Sequence, residues 1–161
     1  MPANFDAKIL TQKLDGHAKT APFTLTLNNL GLNDHTLSDF LTQLQSHPKC
    51  HLISTLDLSG NNIKTSDFRG ILDALPKLRG LNTLCLSDND IQHDGLRELS
   101  KASINKAQDL HIDLTNNALN LQGKIGQRAK KGFADIQQSI SNCTKATVVI
   151  TSGNGLSPSE I

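Results

Sequence analysis

The chain has 161 residues, of which 19% are charged, and its formal net charge is +1. This balance excludes binding to nucleic acid, membranes or acidic substrates through bulk charge, and the length predicts one domain spanning residues 1–161. The three cysteines have no disulfide-framework spacing, which indicates reduced thiols in a reducing, cytoplasmic setting. The start of the chain lacks the features of a signal peptide and no apolar run approaches ~20 residues, so we expect no membrane segment.

In chain order, residues 1–21 are predicted to contain an N-terminal capping helix at residues 3–15, followed by a linker. The residues that would form its apolar face are Phe5, Ile9, Leu10 and Leu14. Residues 22–119 hold a repeated pattern of strand, turn and helix. Residues 120–161 are predicted to form a long basic helix and a terminal strand and turn, with the strand near residues 148–151.

The repeat is the strongest feature of the sequence. Residues 53–63 (ISTLDLSGNNI) and 81–91 (LNTLCLSDNDI) both fit L-x-x-L-x-L-x-x-N-x-L, and residues 111–119 (HIDLTNNAL) give the second half of the pattern. The L-x-L core has the period of a strand, and the residues after each turn have the period of a helix. The recurring asparagines are Asn61, Asn89 and Asn117, each 28 residues after the last, and Asn154 in a further copy; Leu30 takes this position in a degenerate first copy.

This pattern resembles the leucine-rich repeat family in its ribonuclease-inhibitor-like subtype. The resemblance implies an α/β solenoid: a curved horseshoe with a parallel sheet on the inner side and helices on the convex side. Neighbouring strands lie ~4.8 Å apart and neighbouring helices ~8–10 Å apart, so such a stack must bend. The resemblance also implies that the four asparagines form a structural ladder, in which each side chain bonds backbone groups inside a turn.

The family commonly recognises proteins through its concave face, so we expect a non-catalytic module with a protein partner, and a monomer. The candidate binding residues are Thr26, Thr55, Asp57, Thr83, Cys85, Asp88, His111 and Asp113. Of these, Thr26, Asp57, Cys85 and Asp113 should stand in one row across the sheet. Their side chains are small and lack the Trp, Tyr and Arg that dominate binding hot spots, which predicts modest affinity.

Three other interpretations compete with this one. Two histidines and a cysteine in residues 47–51 (HPKCH) could be zinc ligands, but a second ligand pair is missing, and a surface loop explains them better. The basic run at residues 123–132 contains G-K-I-G, which loosely resembles the RNA-binding loop of the KH module and would give the C-terminal region a nucleic-acid-binding role. Cys85 and His111 could form a thiol–imidazole pair, although they are not in register. We expect no enzyme, cofactor or metal.

Composition adds a second resemblance. Small stand-alone proteins with eukaryotic-style repeats, few aromatic residues and many polar ones look like effectors that intracellular bacteria deliver into host cells. This resemblance implies secretion into a host cell and a translocation signal in a polar C-terminal tail. Residues 152–161 fit such a tail.

Overall fold

The computed structural model describes residues 6–18, 20–102, 109–120, 147–149 and 154. Helices and strands alternate along these ranges, which confirms the predicted α/β class. The helices are α1 (Ala7–Asp15), α2 (Asp34–Ser46), α3 (Thr65–Ala74) and α4 (Asp94–Lys101), with short 3-10 helices at Cys50–Leu52 and Leu75–Lys77. The strands are β1 (Phe23–Thr26), β2 (Ile53–Asp57), β3 (Thr83–Cys85), β4 (His111–Asp113) and β5 (Thr147–Val149).

The five strands form one parallel sheet in chain order, β1-β2-β3-β4-β5. A parallel neighbour requires a crossover, and α2, α3 and α4 supply the crossovers between the first four strands. These helices pack side by side in the same order, α2 against α3 and α3 against α4. The predicted parallel sheet is therefore confirmed. β5 overlaps the terminal strand predicted near residues 148–151, of which residues 150 and 151 lie outside the described residues.

The core lies between one face of the sheet and the helices. The two positions of each L-x-L pattern are fully buried, as the period of a strand requires. In α2 and α3 the apolar residues at helical spacing are also buried. Each such side chain contributes ~1.5–3 kcal/mol to folding. The buried residues of the L-x-L patterns are Leu25, Leu27, Leu56, Leu58, Leu84, Leu86, Ile112 and Leu114; the helix residues are Leu37, Phe40, Leu41, Leu44, Phe68, Ile71 and Leu72.

Local hydrogen bonds fix where the helices begin. The Asp6 carboxylate accepts the backbone N–H of Lys8 at 2.9 Å, so α1 begins at Ala7 rather than at residue 3 as predicted. Asn33 and Thr36 exchange capping bonds at the start of α2. The Asp67 carboxylate accepts the N–H of Lys64 at 2.8 Å before α3.

Some sequence predictions concern residues that lie outside the described ranges. In α1, Leu10 and Leu14 are buried as predicted and Ile9 is half-buried, whereas Phe5 lies outside the described residues. The predicted long basic helix falls mostly in residues 121–146, which are also outside them. Within the described part of the chain, no helix is long and apolar enough to cross a membrane.

Candidate functional site

The sheet face opposite the leucines carries two rows of polar side chains, which we call the outer strand face. The pairing register places Thr24, Thr55, Thr83 and His111 in one row, and Thr26, Asp57, Cys85 and Asp113 in the other. The second row is the one that the repeat predicted. Thr24, Thr26 and His111 are exposed, and the remaining members are half-buried.

Asp88 lies apart from these rows. It occupies the turn after β3, with a φ of 56°, and its Oδ1 accepts a hydrogen bond from Asn116 Nδ2 at 3.1 Å. Asn29, Gly60 and Asn116 have the same left-handed backbone in the other described turns. Asp88 therefore belongs to the turn of its repeat, where it directly precedes the ladder asparagine Asn89. The residue types at this position are consistent with a left-handed turn, because Asn, Gly and Asp are the residues that tolerate this conformation.

The two aspartates of the second row also accept hydrogen bonds from the turns that follow their strands, which the sequence analysis did not predict. Asp57 Oδ1 accepts hydrogen bonds from Ser59 N at 3.0 Å and from Ser59 Oγ at 2.6 Å. Asp113 Oδ1 accepts one from Thr115 N at 2.9 Å. These are Asx turns, and the D-x-S and D-x-T spacing is their sequence signal. Each carboxylate is thus fixed in orientation by the start of the turn that follows its strand.

Cys85 stands between these carboxylates in the row. Its pKa is raised by burial, and further by the charges of Asp57 and Asp113. The thiolate is the nucleophilic form of cysteine, so this surrounding disfavours nucleophilic chemistry. The register also places Thr83, not Cys85, beside His111. Neither the raised pKa of the Cys85 thiol nor the position of His111 in the register supports a thiol–imidazole pair.

In the turns that follow the strands, the ladder asparagines connect each turn to the turn of the preceding repeat. Asn61 Oδ1 accepts the N–H groups of Leu30 and Leu32 at 3.0 and 3.1 Å, and its Nδ2 donates to the carbonyl of Leu27 at 3.0 Å. All three belong to the preceding turn. Nδ2 also donates to Leu58 O at 2.8 Å within its own turn. A buried amide that lacked these partners would cost ~1–3 kcal/mol for each polar group.

The same arrangement recurs in every described copy. Asn89 Oδ1 accepts from Ile63 N at 3.1 Å, and Asn117 Oδ1 accepts from Ile91 N at 3.0 Å. Asn154 Oδ1 accepts from Asn117 N at 3.1 Å, although the two residues are separated by 37 positions rather than 28. The longer interval in the sequence therefore leaves the ladder unbroken.

The two remaining sequence candidates have different outcomes. His47 is held locally, since its Nδ1 accepts the N–H of Lys49 at 3.2 Å and its Nε2 lies 3.4 Å from Asp15 Oδ1. In the ranges that the structure describes, no group of three His, Cys, Asp or Glu residues could hold a metal ion. The basic run at residues 123–132, with the G-K-I-G sequence, lies outside the described residues.

Comparison with known proteins gives a likeness of fold. No protein-family model matches the chain, and no curated protein sequence is similar to it. Among solved structures, actin-binding site 2 of leiomodin-1 is similar, with a TM-score of 0.55 and 15% sequence identity over 84% of this chain and 85% of that one. At this identity the likeness concerns the fold. Fold and site together describe an α/β protein with a parallel sheet, one face of which is polar and accessible.

Proposed function

We propose that this chain is a non-catalytic protein-interaction module, a leucine-rich repeat horseshoe of the ribonuclease-inhibitor-like subtype that binds a protein through the outer strand face. The observation that carries the proposal is the pair of in-register polar rows on that face. Residue types vary along the second row, from Thr26 through Asp57 and Cys85 to Asp113, whereas the leucines and asparagines beneath it repeat. A surface that varies on a constant frame is suited to recognition.

Two further observations support the proposal. The ladder asparagines bond backbone groups of the preceding turn, as the family resemblance implies. The structurally similar region of leiomodin-1 is an actin-binding site, so a domain of this fold serves protein binding in that protein.

The charges of the face define the partner's chemistry. Asp57, Asp88 and Asp113 bring negative charge to the face and its rim, and their described bonds are to neutral donors. No Lys or Arg stands in the two rows. A partner that presents basic and hydrogen-bonding side chains fits this surface. Five strands spaced ~4.8 Å apart, with about four residues each, give the sheet face a projected area of roughly 300 Å². A standard protein interface buries ~800 Å² on each partner. The partner must therefore also contact the turns.

A matched pair of variants tests the proposal by affinity capture from cell lysate, followed by binding measurements with the purified partner. Asp57→Asn, Asp88→Asn and Asp113→Asn together remove the charge but retain the oxygens that the turns use. The control, Asp39→Asn with Asp73→Asn and Asp94→Asn, changes the same charge on exposed helix positions. We expect the first variant to lose the partner and the control to keep it. Equal capture by both variants would contradict the proposal. Purified actin serves as a defined first probe.

We also propose that the protein is a bacterial effector delivered into host cells, which rests on the resemblance in composition and repeat style. A reporter fusion to the full chain should enter host cells through a secretion system. Deletion of residues 157–161 should reduce entry if the polar tail carries the signal. Failure of the full-chain fusion to enter would remove the effector proposal, while the binding proposal would stand.

A further inference from the structure

A single lysine holds the C-terminal end of α1. The Nζ atom of Lys49 donates hydrogen bonds to the backbone carbonyls of Leu14 at 3.0 Å, Asp15 at 3.2 Å and His17 at 2.7 Å. An ammonium has three N–H donors, so these contacts use all of them. The last carbonyls of a helix lack intrahelical partners and carry partial negative charge, which makes a cation favourable at this place.

Two more contacts join the end of α1 to the same region. His47, two residues before Lys49, places its Nε2 3.4 Å from Asp15 Oδ1. The ring of His17 stacks on Phe23 of β1, with centroids 4.1 Å apart and an interplanar angle of 12°. Polar and ring contacts therefore concentrate at one end of α1, where the chain leaves the helix for β1.

The apolar attachment of α1 is small by comparison. α1 packs against α2 and buries Leu10 and Leu14, whereas the exposed residues of its outer side are polar. α2 buries four apolar side chains and lies between two neighbouring helices. A helix with few buried apolar side chains and an open side belongs to the low-stability end of a structure.

The next repeat provides an internal comparison. Pro48–Lys49 recurs 28 residues later as Pro76–Lys77. Lys77 is exposed, and its ammonium makes no hydrogen bond that the described residues show. Among the described residues, the lysine ammonium of this dipeptide thus has backbone carbonyls as partners at Lys49, beside the end of α1, and not at Lys77.

We propose that α1 is an end cap that opens as a unit of its own, and that the Lys49 ammonium is the lock that keeps it closed. Opening of α1 separates Leu10 and Leu14 from α2 and leaves the repeats folded. This conformational device does not depend on the proposed binding function, because Lys49 lies outside the outer strand face.

Hydrogen exchange of the full chain, followed by mass spectrometry, tests the lock. Lys49→Met keeps most of the apolar stem and removes the ammonium, and Lys77→Met is the matched control. We expect amides of residues 10–16 to exchange roughly 10- to 100-fold faster in the first variant, from the loss of charged hydrogen bonds. Amides of β2 and α3 should keep their wild-type rates, and Lys77→Met should change neither region.

Two results would overturn the proposal. Equal acceleration across α1, β2 and α3 in Lys49→Met would show that the cap and the repeats form one cooperative unit. Unchanged exchange at residues 10–16 would show that Lys49 is not the lock. Lys49→Arg gives an additional check, since a retained cation at the helix end should restore part of the protection.

Discussion

The asparagine ladder and the outer strand face occupy equivalent places in successive repeats, yet they differ in how much their residue types vary. At the ladder position, Asn61, Asn89 and Asn117 are identical, and in each the amide at the end of a short side chain both accepts from and donates to backbone groups. In the second row of the outer strand face, the register sets the carboxylate of Asp57 beside the thiol of Cys85. In these three copies the ladder position therefore keeps one residue type, whereas the second row of the face varies.

The largest expected effect is at the ladder. Asn61→Ala would leave buried N–H and carbonyl groups of two turns without partners, and we expect a loss of about 3–5 kcal/mol in the free energy of unfolding. Its exposed neighbour provides the control: Asn62→Ala should change stability by less than about 0.5 kcal/mol. Urea unfolding curves measure both. Similar losses in the two variants would contradict the role given to the amide.

A second test uses two glycines with different surroundings. A Cβ on Gly80 would overlap the carbonyl oxygen of His51, so Gly80→Ala must move backbone and should destabilise the protein by about 1–3 kcal/mol. On Gly70, inside α3, the nearest atom is Leu41 Cδ1 at 3.4 Å. Gly70→Ala should therefore gain up to about 1 kcal/mol from helix propensity. Thermal unfolding distinguishes the two, and a reversed order would show that the close approach is misplaced.

A smaller effect is expected on the reactivity of the Cys85 thiol, because its pKa is raised. Because folding raises this pKa, the thiolate fraction near pH 8 is smaller than in the unfolded chain, and alkylation by iodoacetamide should be several-fold slower. By linkage, the stability that the protonated thiol contributes is lost as pH rises above about 8.5, the pKa of an unfolded cysteine. Peptide mapping by mass spectrometry follows Cys85 separately from the other thiols.

A double variant tests the cause of the raised pKa. Asp57→Asn with Asp113→Asn removes both charges and leaves the burial of Cys85 in place. Alkylation of Cys85 should then become faster, without reaching the rate in the unfolded chain, because burial is the larger cause. An unchanged rate would show that the carboxylates do not act on the thiol.

The smallest effect is expected on the exposed edge of the outer face. Thr26→Lys should change the free energy of unfolding by less than about 0.5 kcal/mol, because the side chain is exposed and makes no described hydrogen bond. Urea unfolding measures this change. A loss comparable to that of Asn61→Ala would remove the distinction between scaffold and face.

Much of the fold could be predicted because the central repeats share one length. A period of 28 residues sets the register of Asp57, Cys85 and Asp113, and alternate leucines fix which face is buried. Thr26 lies 31 residues before Asp57, and its place in the row follows from the L-x-L pattern of its own copy. The role of Asp88 did not follow, because a polar residue at an open position can belong to a face or to a left-handed turn. Lys49 could not be distinguished from Lys77, since the difference is a helix end that lies beside only one of them.

The most direct test of the account replaces the outer face while keeping the frame beneath it. One variant combines Thr26→Ser, Thr55→Ser and Thr83→Ser with Asp57→Asn and Asp113→Asn, so that the Asx turns retain their acceptors. Its urea unfolding and its capture of the wild-type partner are measured together. We predict a cooperative transition within about 1 kcal/mol of wild type and loss of the partner. Retention of the partner, or loss of the cooperative transition, would contradict the account.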